Sequence, residues 1–265
     1  MNQIVFLGTG TSTGVPEIGC TCEVCASTDP RDKRLRNAAL IRIDGREILI
    51  DCGPDFRQQM LRTPSKHLAG VLLTHEHYDH TGGLDDLRPY CYHGNVNIYA
   101  EQRVCQAIRT RMPYCFGDHL YPGVRKLLLH EISTLPFEIE GIAIQPIRLM
   151  HGKMPIIGYR IGRLAYLTDV SEIPESAFSK LRDLDLLALD ALRIQPHIAH
   201  FSLTEALLAA TRIGARRTYL MHIAHNFGLH AAMEPTLPTG VHIAYDGLVV
   251  NVQATAGAST QCHTL

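Results

Sequence analysis

The chain has no strong charge of either sign. Its 265 residues carry 25 Lys and Arg against 26 Asp and Glu, a formal net charge of -1, and only 19% are charged. That balance argues against a protein that works mainly by neutralising phosphate backbones, so nucleic acid starts as a disfavoured partner. No run approaches the roughly 18 uninterrupted apolar residues that a membrane span requires. The N-terminus, Met-Asn-Gln-Ile-Val-Phe-Leu-Gly-Thr-Gly, lacks the basic start and long apolar centre of a secretory leader and reads as a first strand, with a cytoplasmic location as the expectation. No internal repeat, charge block or Pro/Ser-rich linker divides the chain. One domain over residues 1–252 is expected, followed by a tail over 253–265 with little to bury.

What the chain does have is 15 histidines and 8 cysteines. In a reducing compartment that many cysteines do not imply a disulfide framework. Cys20, Cys22 and Cys25 cluster, which suggests a metal site; Cys52, Cys91, Cys105, Cys115 and Cys262 are scattered and read as small hydrophobes or surface thiols.

Short apolar runs of strand length recur between glycine-rich turns: residues 4–7, 39–43, 47–50, 71–73, 96–99, 142–147, 156–161, 164–167, 184–189, 218–221 and 241–245. Helical spacing occupies 55–62, 101–112, 174–181 and 202–213, the last opening on Ser202 ahead of Glu205 as a capping box. Mixed elements of this kind predict an α/β sandwich.

The most informative segment is Gly70-Val-Leu-Leu-Thr-His75-Glu-His77-Tyr-Asp79-His80-Thr-Gly-Gly83. Its ligand-type residues begin where a buried strand stops, and imidazoles with carboxylates are the ligands that zinc and similar divalent ions prefer. Elsewhere Leu149-Met150 leads into His151, Tyr166-Leu167-Thr168 into Asp169, and Tyr219-Leu220-Met221 into His222. Singly, each is an ordinary turn former or strand-end residue. Together they suit one site at a shared rim.

The His75-x-His77-x-Asp79-His80 run, followed in order by His151, Asp169 and His222, resembles the metallo-β-lactamase superfamily of binuclear metal hydrolases, over about residues 4–252. The resemblance implies an αββα four-layer sandwich with two divalent ions, zinc or manganese, at the common edge of its sheets. It implies that His75, His77 and His151 hold one ion, that Asp79, His80 and His222 hold the other, and that Asp169 bridges them. Asp51 matches a position that organises such sites without ligating.

Gly19-Cys20-Thr-Cys22-Glu-Val-Cys25 offers closely spaced thiolates, and a tetrahedral structural zinc needs one more soft or imidazole ligand. His225 stands three residues after His222. This combination resembles the cyclic phosphodiesterases of the carbon–phosphorus lyase pathway, the PhnP type, where such a loop and a late histidine bind a structural zinc. His200, in His197-Ile-Ala-His200-Phe-Ser202-Leu-Thr204-Glu205-Ala206, is similar to the His-x-Ser/Thr-x-x-Glu-Ala segment of superfamily phosphodiesterases and tRNA-processing nucleases, and the resemblance gives it the role of proton donor or phosphate stabiliser.

The expected activity is therefore hydrolysis of a small phosphodiester, such as a cyclic ribose phosphate or nucleotide, by metal-bound hydroxide, with Asp79 helping to position the nucleophile and His200 protonating the leaving alkoxide. A homodimer is expected from the family. Two alternatives stand beside it. A tRNA 3′-end nuclease shares the pattern but usually carries a long Gly-, Pro- and basic-rich arm, which is missing here. A non-catalytic cofactor-biosynthesis member would be marked by lost ligands, and every ligand position is filled.

Overall fold

A computed structural model describes residues 2–92, 94–116 and 126–253. The expected tail, from residue 254 on, lies outside the described residues. Strands β1 (Asn2–Gly8), β2 (Ala38–Ile43), β3 (Arg46–Ile50), β4 (Gly70–Leu72), β5 (Val96–Glu101) and β6 (Leu127–Ile132) form the first sheet. Strands β7 (Phe137–Ile139), β8 (Ile142–His151), β9 (Met154–Ile161), β10 (Leu164–Leu167), β11 (Leu186–Asp190), β12 (Arg217–Met221) and β13 (Val241–Ile243) form the second, and β14 (Val249–Val252) returns to the edge of the first. The orders are β14-β1-β2-β3-β4-β5-β6 and β13-β12-β11-β10-β9-β8-β7.

Period-2 alternation explains why the sheets stack. In β1, Ile4 and Phe6 face the core between the sheets with Ile48, Ile50, Tyr159 and Tyr166, whereas Val5 and Leu7 face an outer core with Phe56, Leu84, Val104 and Ile108. The second sheet is covered in the same way: Leu187, Leu189 and Leu220 meet Ala177, Leu181, Ala206 and Ala210. The layers are helix, sheet, sheet, helix, as expected. No helix among the described residues is long and apolar enough to cross a membrane.

Both sheets change from antiparallel to parallel pairing at their middle. Strands β3 to β6 run parallel to one another, as do β10 to β13. Parallel strands end at one rim, where ligands bind in sheets of this kind. Asp51 follows β3, His75 lies beyond β4, Asp169 beyond β10, and His222 directly after β12.

Some boundaries differ from the sequence reading. The 174–181 helix divides into Glu175–Phe178 and a tighter 3-10 turn, Ser179–Leu181. Strand β8 runs on to His151, so that histidine ends a strand instead of following one. Strands β6, β7 and β14 were not anticipated: β6 is a half-buried edge with broken alternation, β7 has only 3 residues, and β14 has 4. The capping box at Ser202 and Glu205 is present and closes the N-terminus of Leu203–Ile213.

Candidate metal centre

The strand-to-turn transitions at the rim require unusual backbone. Asp51, Asp169 and His222 have φ of 61°, 57° and 61°, in the left-handed region that β-carbons disfavour. Such conformations persist where the surroundings impose them, and they cluster at functional sites. The turn after Asp51 also lies against the ligand helix Tyr78–Thr81: a β-carbon on Gly53 would sit 2.0 Å from the Asp79 carbonyl oxygen, so only glycine allows this approach.

These turns bring the candidate ligands into two adjoining groups, His75, His77 and His151 in one, and Asp79, His80, Asp169 and His222 in the other, with ligand atoms inside each group within 4.8 Å of one another. Asp169 stands between the groups. Its Oδ1 is 3.2 Å from His80 Nε2, and its Oδ2 is 3.4 Å from His222 Nε2 and 3.9 Å from His75 Nε2. Asp79 lies 3.1 Å from His80 Nε2. Glu76 joins neither group; it pairs with Arg103 on the outer side.

The residues around the ligands fix which ring nitrogens face inward. His80 Nδ1 lies 2.7 Å from Asp51 Oδ2, Asp51 also accepts from the Thr74 backbone at 2.9 Å, and His151 Nδ1 donates to the Ala199 carbonyl at 2.7 Å. The opposite nitrogens are thereby aimed into the site. The Nε2 atoms of His75, His80 and His222 are buried with no hydrogen-bond partner among the described residues. Burying unpaired polar atoms is costly, and lone pairs converging beside buried carboxylates are what a divalent cation would satisfy.

The electrostatics point the same way. Burial, helped by the neighbouring His80, holds His75 far below the ordinary histidine range and therefore neutral. For His80, burial opposes the charge, but the carboxylates of Asp169, Asp79 and Asp51 outweigh it and drive the imidazole well upward. His222 shows the same contest and reaches about 10, with burial opposed chiefly by Asp169 and then Asp190. Asp79 and Asp169 are held low by these imidazoles, against the effect of burial. Carboxylates that stay charged when buried, and that raise the imidazoles beside them, provide the field that would hold cations.

His200 sits at the mouth of the cluster, half-buried. Its ring stacks on His222 at 4.8 Å and 14°, lies 4.6 Å from His151, and presents Nδ1 3.3 Å from Asp190 Oδ2. Asp190 is fully buried and was missed in the sequence reading. Its Oδ1 faces His222 Nδ1 at 3.4 Å, and its Oδ2 accepts from the Val170 and Phe201 backbones at 3.1 and 3.2 Å. The signal was present: Asp190 ends an apolar strand at the same rim, the pattern that marked Asp169 and His222.

A second cluster lies nearby. The thiols of Cys20, Cys22 and Cys25 lie 3.2, 3.3 and 3.6 Å from His225 Nδ1, and His225 Nε2 lies 3.1 Å from Glu17. Three sulfurs around one imidazole nitrogen form a donor set suited to tetrahedral zinc. The backbone N–H of Cys25 donates to Cys22 Sγ and, against the effect of burial and with help from His225, brings that thiol down to about 6; burial pushes Cys25 up to about 11. Backbone bonds from Thr11 to Ile223 at 3.1 Å and from Ile223 to Thr9 at 2.9 Å tie the strand leading into this loop to the turn that carries His222.

A model of the beta-lactamase superfamily domain matches residues 46–223. The crystal structure of a diphosphatase from the PhnP family is 38% identical, with a TM-score of 0.88, covering 94% of this chain and 96% of that one. A Porphyromonas gingivalis protein named octanoyltransferase is 45% identical over 93% of this chain but only 51% of its own length, so the chain spans about half of that relative. The zinc-bound PqqB of Methylobacterium extorquens, 21% identical with a TM-score of 0.76 over 94% of this chain and 99% of that one, shares the fold.

Proposed function

The chain belongs to the beta-lactamase superfamily and, within it, to the PhnP family, and on that premise we propose that it is a binuclear metal-dependent hydrolase of a small phosphodiester, a cyclic ribose phosphate or nucleotide. In this reading His75, His77 and His151 hold one divalent ion, Asp79, His80 and His222 hold the other, and Asp169 serves both. Zinc or manganese suits such a set. Bound there, the ions supply Lewis acidity, which acidifies a water and offsets the charge that builds on phosphoryl oxygens.

The chain's own residues do the remaining work. Asp51 and the Ala199 carbonyl keep the rings of His80 and His151 oriented, and the negative charge of Asp79 and Asp169 fixes where a nucleophilic water sits. His200 donates a proton to the leaving alkoxide. With Nδ1 turned toward Asp190, its Nε2 is the nitrogen left to deliver that proton. The observation that carries the proposal is this placement of His200: a histidine held by a buried carboxylate at the open side of the ligand groups, where an ester with a poor leaving group needs an acid. A phosphoanhydride or thioester needs it less. Cys20, Cys22, Cys25 and His225 hold a structural zinc, and a homodimer in the cytoplasm completes the proposal.

The test is a substrate panel on purified, metal-quantified protein: bis-p-nitrophenyl phosphate, 2′,3′-cyclic nucleotides, cyclic ribose phosphates, a nucleoside diphosphate, precursor tRNA and an octanoyl thioester. Turnover of the small diesters supports the reading. Turnover confined to the diphosphate, tRNA or thioester overturns it. Size-exclusion chromatography with light scattering tests the dimer.

A further inference from the structure

Between the sheets, next to the metal centre, lies a polar side chain that neither ligand group uses. Asn37 immediately precedes β2 and is 1% exposed. Its Nδ2 donates to the Thr168 hydroxyl at 2.7 Å and to the Tyr166 hydroxyl at 2.8 Å, while its Oδ1 is buried with no partner among the described residues. Thr168, also 1% exposed, donates in turn to Asp169 Oδ1 at 2.7 Å.

We propose that Asn37 is a positioning residue of the metal centre, setting the direction of the Thr168 hydroxyl and, through it, the rotation of the Asp169 carboxylate. The Thr168 hydroxyl donates to Asp169 Oδ1 at 2.7 Å, so that carboxylate oxygen is the acceptor of the pair. Thr168 has a single proton, which must go to Asp169, and its oxygen is then free to accept. Among the described residues the amide nitrogen of Asn37 is the donor that reaches it, so Asn37 points its nitrogen at Thr168 and leaves its own oxygen buried without a partner among those residues. An unpaired buried oxygen is an expensive arrangement, and the direction of the hydrogen-bond chain explains why it is kept.

The consequence for Asp169 is geometric. With Oδ1 pinned by Thr168, Oδ2 stays between His222 Nε2 at 3.4 Å and His75 Nε2 at 3.9 Å, one imidazole from each ligand group. A carboxylate free to rotate would lose that intermediate position. Asp169 also has a left-handed backbone, φ 57°, a conformation that persists only where its surroundings hold it.

This inference rests on the proposal that Asp169 serves two ions, and its test separates the two. Metal affinity is measured on chelator-stripped protein by competition with a chromophoric chelator, using zinc alone, with the cysteine cluster as an internal reference. Thr168→Val, which keeps shape and removes the donor, and Asn37→Asp, which reverses the amide's donor, are each expected to weaken zinc binding at the His/Asp cluster roughly 10- to 100-fold, the usual cost of losing an outer-shell partner. Thr168→Ser should restore wild-type affinity. Tyr166→Phe, which cuts only the other branch from Asn37, should stay within about twofold, and Asn37→Ala combined with Thr168→Val should be no worse than either alone. Unchanged affinity in both Thr168→Val and Asn37→Asp overturns the inference, as does a Tyr166→Phe loss equal to that of Asn37→Ala. If Asn37→Asp does not fold, Thr168→Val decides. Wild-type protein that binds zinc only at the cysteines overturns the parent proposal itself.

Discussion

The molecule's two ligand clusters use opposite constructions. The cysteine cluster is gathered from one loop and a single histidine, with Cys20, Cys22 and Cys25 all directed at His225 Nδ1. The His/Asp cluster is gathered from the ends of strands in both sheets, in two groups that meet at Asp169. One is a closed donor set of the structural kind; the other keeps an open side, where exposed His77 and half-buried His151 and His200 line the approach. Their backbones differ in the same sense. Where the cysteine loop needs a positive φ it uses glycine, Gly19 at 79°, whereas the rim places Asp51, Asp169 and His222 there. A loop that only gathers thiols around an imidazole can use the residue with no β-carbon. A rim that must present side chains at each turn cannot, and the rest of the fold must hold the strain.

If the two clusters have different tasks, separate perturbations should separate them. The largest effect is expected from stripping metal with a strong chelator: hydrolysis should fall to background and return on adding back zinc or manganese, followed by spectrophotometric rates. His200→Ala comes next, with a loss of about 10²- to 10⁴-fold in kcat, the range for removing a general acid, and no change in metal content. The loss should be smaller for an activated p-nitrophenyl ester than for a ribose alkoxide. Asp190→Asn should lower turnover roughly 10- to 100-fold, since it loosens His200 and removes the carboxylate charge that faces His222. Cys22→Ser should do the reverse: about one zinc per chain lost by elemental analysis and a clear fall in Tm, because structural zinc contributes folding free energy, with the His/Asp metals retained. Equal loss of metal from both clusters would break the comparison. Ser202→Ala should be mildest, about 1 kcal/mol of stability from the lost helix cap with metal content unchanged, read by denaturant unfolding.

The sequence made the candidate ligands legible because chemistry and position coincided: His75, His77, Asp79 and His80 stand within one short run, and His151, Asp169 and His222 each mark the end of an apolar strand. The inner strands were legible for a related reason, since buried parallel strands are continuous apolar runs. Strand β6 was not, because an edge strand with one half-buried face lacks both continuity and alternation. Asp190 was passed over although it met the strand-end criterion, since a carboxylate that holds histidines looks in sequence like any other turn former. Asn37 could not have been found at all. Its significance is a direction of donation across the sheets to Thr168, a residue 131 positions away, and no local pattern records it.

The central claim, that His200 and the His/Asp cluster form one phosphodiester-cleaving unit, is tested most directly by the rate of 2′,3′-cyclic nucleotide hydrolysis in metal-loaded wild-type and His200→Ala proteins of equal metal content. The account predicts turnover in the wild type and a fall of at least about 10²-fold in the variant. Equal rates in the two proteins, or no hydrolysis by the fully loaded wild type, would contradict it.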